Sequence, residues 1–191
     1  MRSSWFLACL CAAYTAAPAN LAQQAAQQGD IEVSVSLDSA EQSGSARGTV
    51  RIHARREVVW SLITSCAESL KLVASLEVCD VLETAPDGSW QRIRQVMNYS
   101  WYMPKLSYVI RIAYDPPARI SIERVSGDVR TLRGSWLLSS DGDYTVAHYT
   151  VDMAPGFWVP HWLVLSALRH DLPKMLRALR SRAEELERPK P

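Results

Sequence analysis

Trp158-Val-Pro-His-Trp-Leu-Val-Leu-Ser-Ala-Leu-Arg-His-Asp-Leu-Pro-Lys-Met-Leu-Arg-Ala-Leu179 is the stretch whose reading decides the fold. Trp158, Trp162, Leu165, Leu168, Leu172, Met175, Leu176 and Leu179 recur at helical spacing and form one apolar stripe. The pattern predicts a helix from about Trp158 to Leu186. Pro160 falls in its first turn, where a missing N–H costs nothing. Pro173 falls inside, removes the bond to Arg169 and is expected to bend the axis, with Asp171 as cap of a restarted second half. A helix with a single apolar face needs a surface to cover.

That surface lies upstream. From Val78 to Met153 the chain reads as strands parted by turn signals at hairpin spacing. The strands are Val78–Thr84, Trp90–Tyr102, Leu106–Tyr114, Arg119–Val125, Arg130–Leu138 and Tyr144–Met153. Pro86-Asp87-Gly88, Asp115-Pro116-Pro117, Ser126-Gly127-Asp128 and Asp141-Gly142-Asp143 separate them. Further upstream, Ile31–Leu37 alternates apolar and polar as a half-buried strand does. Ser39 to Gly48 reads as a Ser/Gly turn, and Thr49–His53 as the returning strand. Val58/Leu62 and Val59/Ile63 pair at i,i+4, so Arg56–Thr64 is a short helix. A second irregular or helical piece runs from Cys66 to about Leu76. The fold class is therefore α+β: a curved antiparallel sheet wrapped around a long C-terminal helix, with room for a cavity between them.

The N-terminus points to export. Arg2, the apolar run Trp5–Ala13 and the small residues Ala17-Pro18-Ala19 have the layout of a secretory signal peptide. The run is shorter than the roughly 20 residues a spanning helix needs. The expected organisation is a signal peptide over 1–22, a flexible leader over 23–30 and one domain over 31–188, in the periplasm or secreted. Cleavage removes Arg2 from 21 Lys+Arg and leaves 20 against 20 Asp+Glu. A neutral chain has no basic excess for phosphates, which argues against a nucleic-acid partner. Cys66 and Cys79 remain after cleavage. In an oxidising compartment a disulfide is the first expectation, and two separate buried thiols the alternative.

Three further stretches carry a family resemblance. They are Trp60-Ser-Leu-Ile-Thr-Ser-Cys66 continuing to Cys79-Asp-Val-Leu-Glu83; Tyr114-Asp-Pro-Pro-Ala-Arg119 with Val125-Ser-Gly-Asp-Val-Arg-Thr-Leu-Arg-Gly-Ser-Trp136; and Phe157-Trp-Val-Pro-His-Trp162 with Ala167-Leu-Arg-His-Asp-Leu-Pro173. Over Val50–Arg182 the chain resembles the START-like, or SRPBCC, superfamily. Within it, the likeness is to the polyketide cyclase/dehydrase and coenzyme Q-binding START-like subgroup, as an exported bacterial member. The resemblance implies a helix-grip fold and a cavity for a lipid, isoprenoid or quinone-like molecule.

Aromatic residues dominate the candidate site. The chain has 7 Trp and 7 Tyr against 2 Phe, so most rings combine an apolar body with a polar handle. Met97, Tyr99 and Trp101 share one strand face; Trp136, Tyr149 and Met153 stand on two further strands; Trp158, Trp162 and Leu165 lie on the helix. These nine are the expected cavity wall, with Arg133 and His148 as candidates for a polar contact. No His/Cys/Asp spacing resembles a metal site, no Gly-x-Ser-x-Gly turn occurs, and no cofactor or catalytic residue is expected. The reading is a monomeric, non-catalytic binder of a hydrophobic small molecule, with transient membrane contact for ligand exchange. The alternatives are an aromatase/cyclase-type enzyme on a polyketide-like substrate, or a protein-interaction module.

Overall fold

The computed structural model describes residues 31–38, 43–99, 104–159 and 161–188, the side chains of residues 161–163, 166 and 167 excepted. The expected signal peptide, the leader and Trp101 lie outside the described residues, as does the side chain of Trp162. In chain order the elements are β1 (Glu32–Asp38), β2 (Ser43–Ile52), α1 (Arg56–Ile63), α2 (Cys66–Leu72), β3 (Leu76–Thr84), β4 (Trp90–Met97), β5 (Leu106–Asp115), β6 (Arg119–Gly127), β7 (Val129–Asp141), β8 (Tyr144–Pro155) and α3 (His161–Glu187).

All eight strands form one antiparallel sheet in the order β1-β2-β8-β7-β6-β5-β4-β3. From β3 to β8 it is a meander, and the β1–β2 hairpin attaches alongside β8. The sheet is curved and does not close. Its concave face is apolar and alternates with an exposed outer face, as in β7, where Leu132, Trp136 and Leu138 are buried.

The segment read as a Ser/Gly turn is corrected: from Ser43 onward it is strand. Its glycines are there because α3 packs directly on β2. A Cβ added at Gly48 would lie 2.6 Å from Leu176 Cδ1, and one at Gly44 2.9 Å from Leu168 Cδ1. Leu172, Leu176, Leu179 and Ala183 of α3 are at most 5% exposed and interlock with Val50, Ile52 and Val59. Each buried leucine stabilises the helix–sheet contact by about 2 kcal/mol. That packing explains a second difference. Instead of restarting at Asp171, α3 runs unbroken from His161 to Glu187 with Pro173 inside it. Tertiary burial on both sides of the proline outweighs one lost backbone hydrogen bond.

The short helices close one end of the sheet. The Ser65 Oγ accepts from the Glu68 N–H, the N-cap arrangement that starts α2. Cys66 of α2 and Cys79 of β3 are joined by a disulfide, with Cα atoms 5.4 Å apart. Glu68 and Arg182 link α2 to the last turns of α3.

Candidate ligand cavity

Between α3 and the concave face the side chains leave a cavity of about 240 Å³. Each element contributes by its own periodicity. Strand alternation delivers Ile93, Gln95 and Met97 from β4, and Tyr99 just beyond it. The same alternation delivers Leu106, Tyr108, Ile110 and Ile112 from β5. Ile122, Leu132, Trp136, Tyr149, Val151 and Met153 complete the sheet wall. Across from it stand Val164, Leu168, Asp171, Leu172, Met175 and Leu179, which share one face of α3. The α2 end is closed by Ser69, Leu72 and both disulfide cysteines.

The lining is mostly apolar. Trp136 and Tyr149 are cross-strand partners whose ring centroids lie 4.5 Å apart at 38°. Besides Thr64, Ser69 and Gln95, the polar groups are Tyr99 just past β4, Tyr108 of β5, Tyr149 of β8, Asp171 of α3 and Ser75 between α2 and β3. Burial holds all three phenols in the neutral form. The Tyr149 hydroxyl is pushed up to about 12, and Tyr99 and Tyr108 also shift well upward. The Asp171 carboxylate adds to the shift of Tyr99, and Tyr99 and Tyr149 add to that of Tyr108, so these groups feel one another's charge. Asp171 itself is raised by burial, opposed by Lys174, the Ser75 hydroxyl and His170. Among the described residues, none lining the cavity is Arg, Lys or His, and no cluster of His, Cys, Asp and Glu could hold a metal.

Of the expected wall residues, Met97, Tyr99, Trp136, Tyr149 and Met153 come together at the cavity. Trp158 does not: it is 71% exposed, ahead of the first turn of α3. Leu165 is half-buried outside the lining. Arg133 and His148 are also corrected. Each is one residue out of phase with the inward set (Leu132 and Gly134, Tyr149 and Val151), so both point to the exposed outer face. There His148 Nδ1 lies 3.0 Å from Thr49 Oγ1. Reading missed Tyr108, although Leu106-x-Tyr108-x-Ile110-x-Ile112 alternates cleanly. It also missed Asp171 as a lining group, although an acid between Leu168 and Leu172 interrupts an apolar stripe.

A curved, open antiparallel sheet gripping a C-terminal helix over an internal cavity defines a helix-grip, START-like protein. The family model described as polyketide cyclase / dehydrase and lipid transport matches residues 52–180, and the chain belongs to that family. Solved structures share the fold at low identity. A STAR-related lipid transfer protein from Xanthomonas axonopodis is 19% identical at a TM-score of 0.69, over 82% of this chain and 94% of that one. The Zhui aromatase/cyclase from Streptomyces sp. R1128 is 16% identical at 0.64, over 83% and 97%. The lipid transfer and protein localization domain of human StarD13 is 13% identical at 0.63, over 86% and 94%. No curated protein matches the chain.

Proposed function

We propose that this chain is an exported carrier that binds a hydrophobic small molecule in the cavity beneath α3, without transforming it. The carrying observation is the partly open, mostly apolar space between Trp136, Tyr149 and Met153 on the sheet and Leu168, Leu172 and Met175 on the helix. Its volume of about 240 Å³ exceeds the roughly 150 Å³ of an apolar cavity that takes benzene. It suits a fused-ring compound or a single chain better than a two-chain lipid. Removing apolar surface from water contributes about 25 cal/mol per Å², enough to hold such a ligand with few polar contacts. The disulfide fits an oxidising compartment. Exposed Phe157 and Trp158, just before α3, suit transient contact with a membrane during exchange.

The aromatase/cyclase reading has one observation in its favour, the Asp171 carboxyl raised by burial within the cavity. The carrier reading is preferred because the described lining is mostly apolar and offers its acid and serines no His or Lys partner.

The test is native mass spectrometry of gently purified protein, with solvent extraction of the same sample. A copurifying hydrophobe at near-stoichiometric amount is expected. Protein that is uniformly empty and gains no mass when offered naphthalene-sized hydrophobes contradicts the proposal.

A further inference from the structure

The cavity's polar groups come from distant parts of the chain. Tyr99 follows β4, Tyr108 stands on β5, Tyr149 on β8, Asp171 on α3, and Ser75 precedes β3. Three observations make this cluster more than incidental polarity. First, the three tyrosines line the cavity, and none of their hydroxyls is among the sealed, unpartnered buried atoms of the described residues. Phenol hydroxyls at such a wall are free to serve a ligand. Second, Ser75 is 8% exposed and its hydroxyl lies against the Asp171 carboxyl, which it helps to hold in the cavity wall. Third, the rest of the lining is mostly apolar, with Thr64, Ser69 and Gln95 uncharged, so a ligand bonded to the cluster would lay most of its surface against Leu, Ile, Val and Met.

The chemistry of the groups selects the ligand's polar function. Phenol and serine hydroxyls each donate one hydrogen bond and accept others. A carbonyl or hydroxyl oxygen satisfies several of them without carrying charge into the cavity. A carboxylate or phosphate would also attract the donors, but it would shed its hydration, face Asp171, and meet no cationic side chain among the described lining residues. Desolvating an unpaired charge costs far more than two or three neutral hydrogen bonds return.

We propose that Tyr99, Tyr108, Tyr149, Asp171 and Ser75 form a recognition site for one uncharged oxygen function, a hydroxyl or carbonyl, on an otherwise apolar ligand, and that this site rejects carboxylates. The inference rests on the cavity-binding reading and adds the ligand's chemical class. Tyr149, packed on Trp136, and Tyr108, held on β5, are fixed donors; Asp171 and Ser75 form the opposite side of the site.

Binding of three matched probes, 2-methylnaphthalene, 2-naphthol and 2-naphthoate, followed by naphthalene fluorescence at pH 7, tests it. Wild-type protein should bind 2-naphthol at least about tenfold more tightly than 2-naphthoate, and about fivefold more tightly than 2-methylnaphthalene, the worth of one neutral hydrogen bond. The double variant Tyr99→Phe/Tyr149→Phe should bring the ratio of 2-naphthol to 2-methylnaphthalene affinity down to about one. Equal affinities for naphthol and naphthoate in wild-type protein overturn this inference alone. So does a double variant that weakens naphthol and methylnaphthalene alike. If wild-type protein binds none of the three, the cavity-binding reading falls, and this inference with it.

Discussion

Gly127 lies against the backbone of Tyr108: a Cβ built on Gly127 would sit 2.4 Å from the Tyr108 Cα and 2.4 Å from the Ser107 carbonyl oxygen. The two residues pair across β5 and β6, next to the register shift at Val109/Ile110. Gly127 also has φ of +105°, a region L side chains seldom enter. This contact brings the end of β6 close enough to hold one of the cavity phenols in place.

Gly127→Ala should therefore destabilise by about 2–4 kcal/mol, combining backbone strain with a clash that no side-chain rotation relieves. Gly142→Ala is the control. Its φ is +60° but nothing lies within 4 Å of the added carbon, so the cost should be about 1 kcal/mol. Urea unfolding of both variants measures the difference. Equal losses would mean that the approach to Tyr108 is not tight.

The Cys66–Cys79 disulfide closes a loop with a sequence separation of 13. Cross-linking a loop of that size stabilises by about 3 kcal/mol in the chain-entropy view. Cys66→Ser/Cys79→Ser should lower stability by roughly that amount. Because both residues line the cavity, the variant should also release a bound hydrophobe faster. A variant as stable as wild type under oxidising conditions would contradict the first expectation.

Asp171 gives stability a pH dependence of definite sign. Burial raises its carboxyl above the ordinary range, against Lys174 and His170 on the same helix and Ser75 across from it; Tyr99 is the further titratable neighbour. A raised folded-state value means the folded protein holds the proton more tightly. The contribution to stability is then complete below the unfolded value of about 3.9 and is lost as pH rises through the folded one. Asp171→Asn mimics the neutral acid. Its melting temperature should match wild type near pH 4 and exceed it increasingly towards pH 7. A gap that shrinks with rising pH would contradict the assigned cause.

Much of the architecture was legible in the sequence because it follows from local pattern. Alternation and Pro/Gly/Asp turns marked β3 to β8, and leucines at helical spacing marked α3. Other features depend on the three-dimensional partner. Ser43–Gly48 has the composition of a turn, yet it is strand, because only glycines admit Leu168 and Leu176 so close. Trp158 continues the stripe of α3 on a helical wheel, but the helix begins three residues later and the ring faces solvent. Arg133 and His148 could have been excluded by parity alone, since their immediate neighbours face inward. The polar cluster was the hardest to read, because its five members span residues 75 to 171 and only the curvature of the sheet brings them to one cavity.

The central claim is that the space beneath α3 is hollow and takes an apolar guest. The direct measurement is saturation binding of 2-methylnaphthalene, by fluorescence, to wild-type protein and to Val151→Trp. Val151 lines the cavity from β8, and an indole in its place should narrow the space at a cost of about 1–3 kcal/mol, with circular dichroism confirming the fold. Saturable one-to-one binding to wild type and markedly weaker binding to the variant are expected. No saturable binding to wild type, or equal binding to both proteins, would contradict the claim.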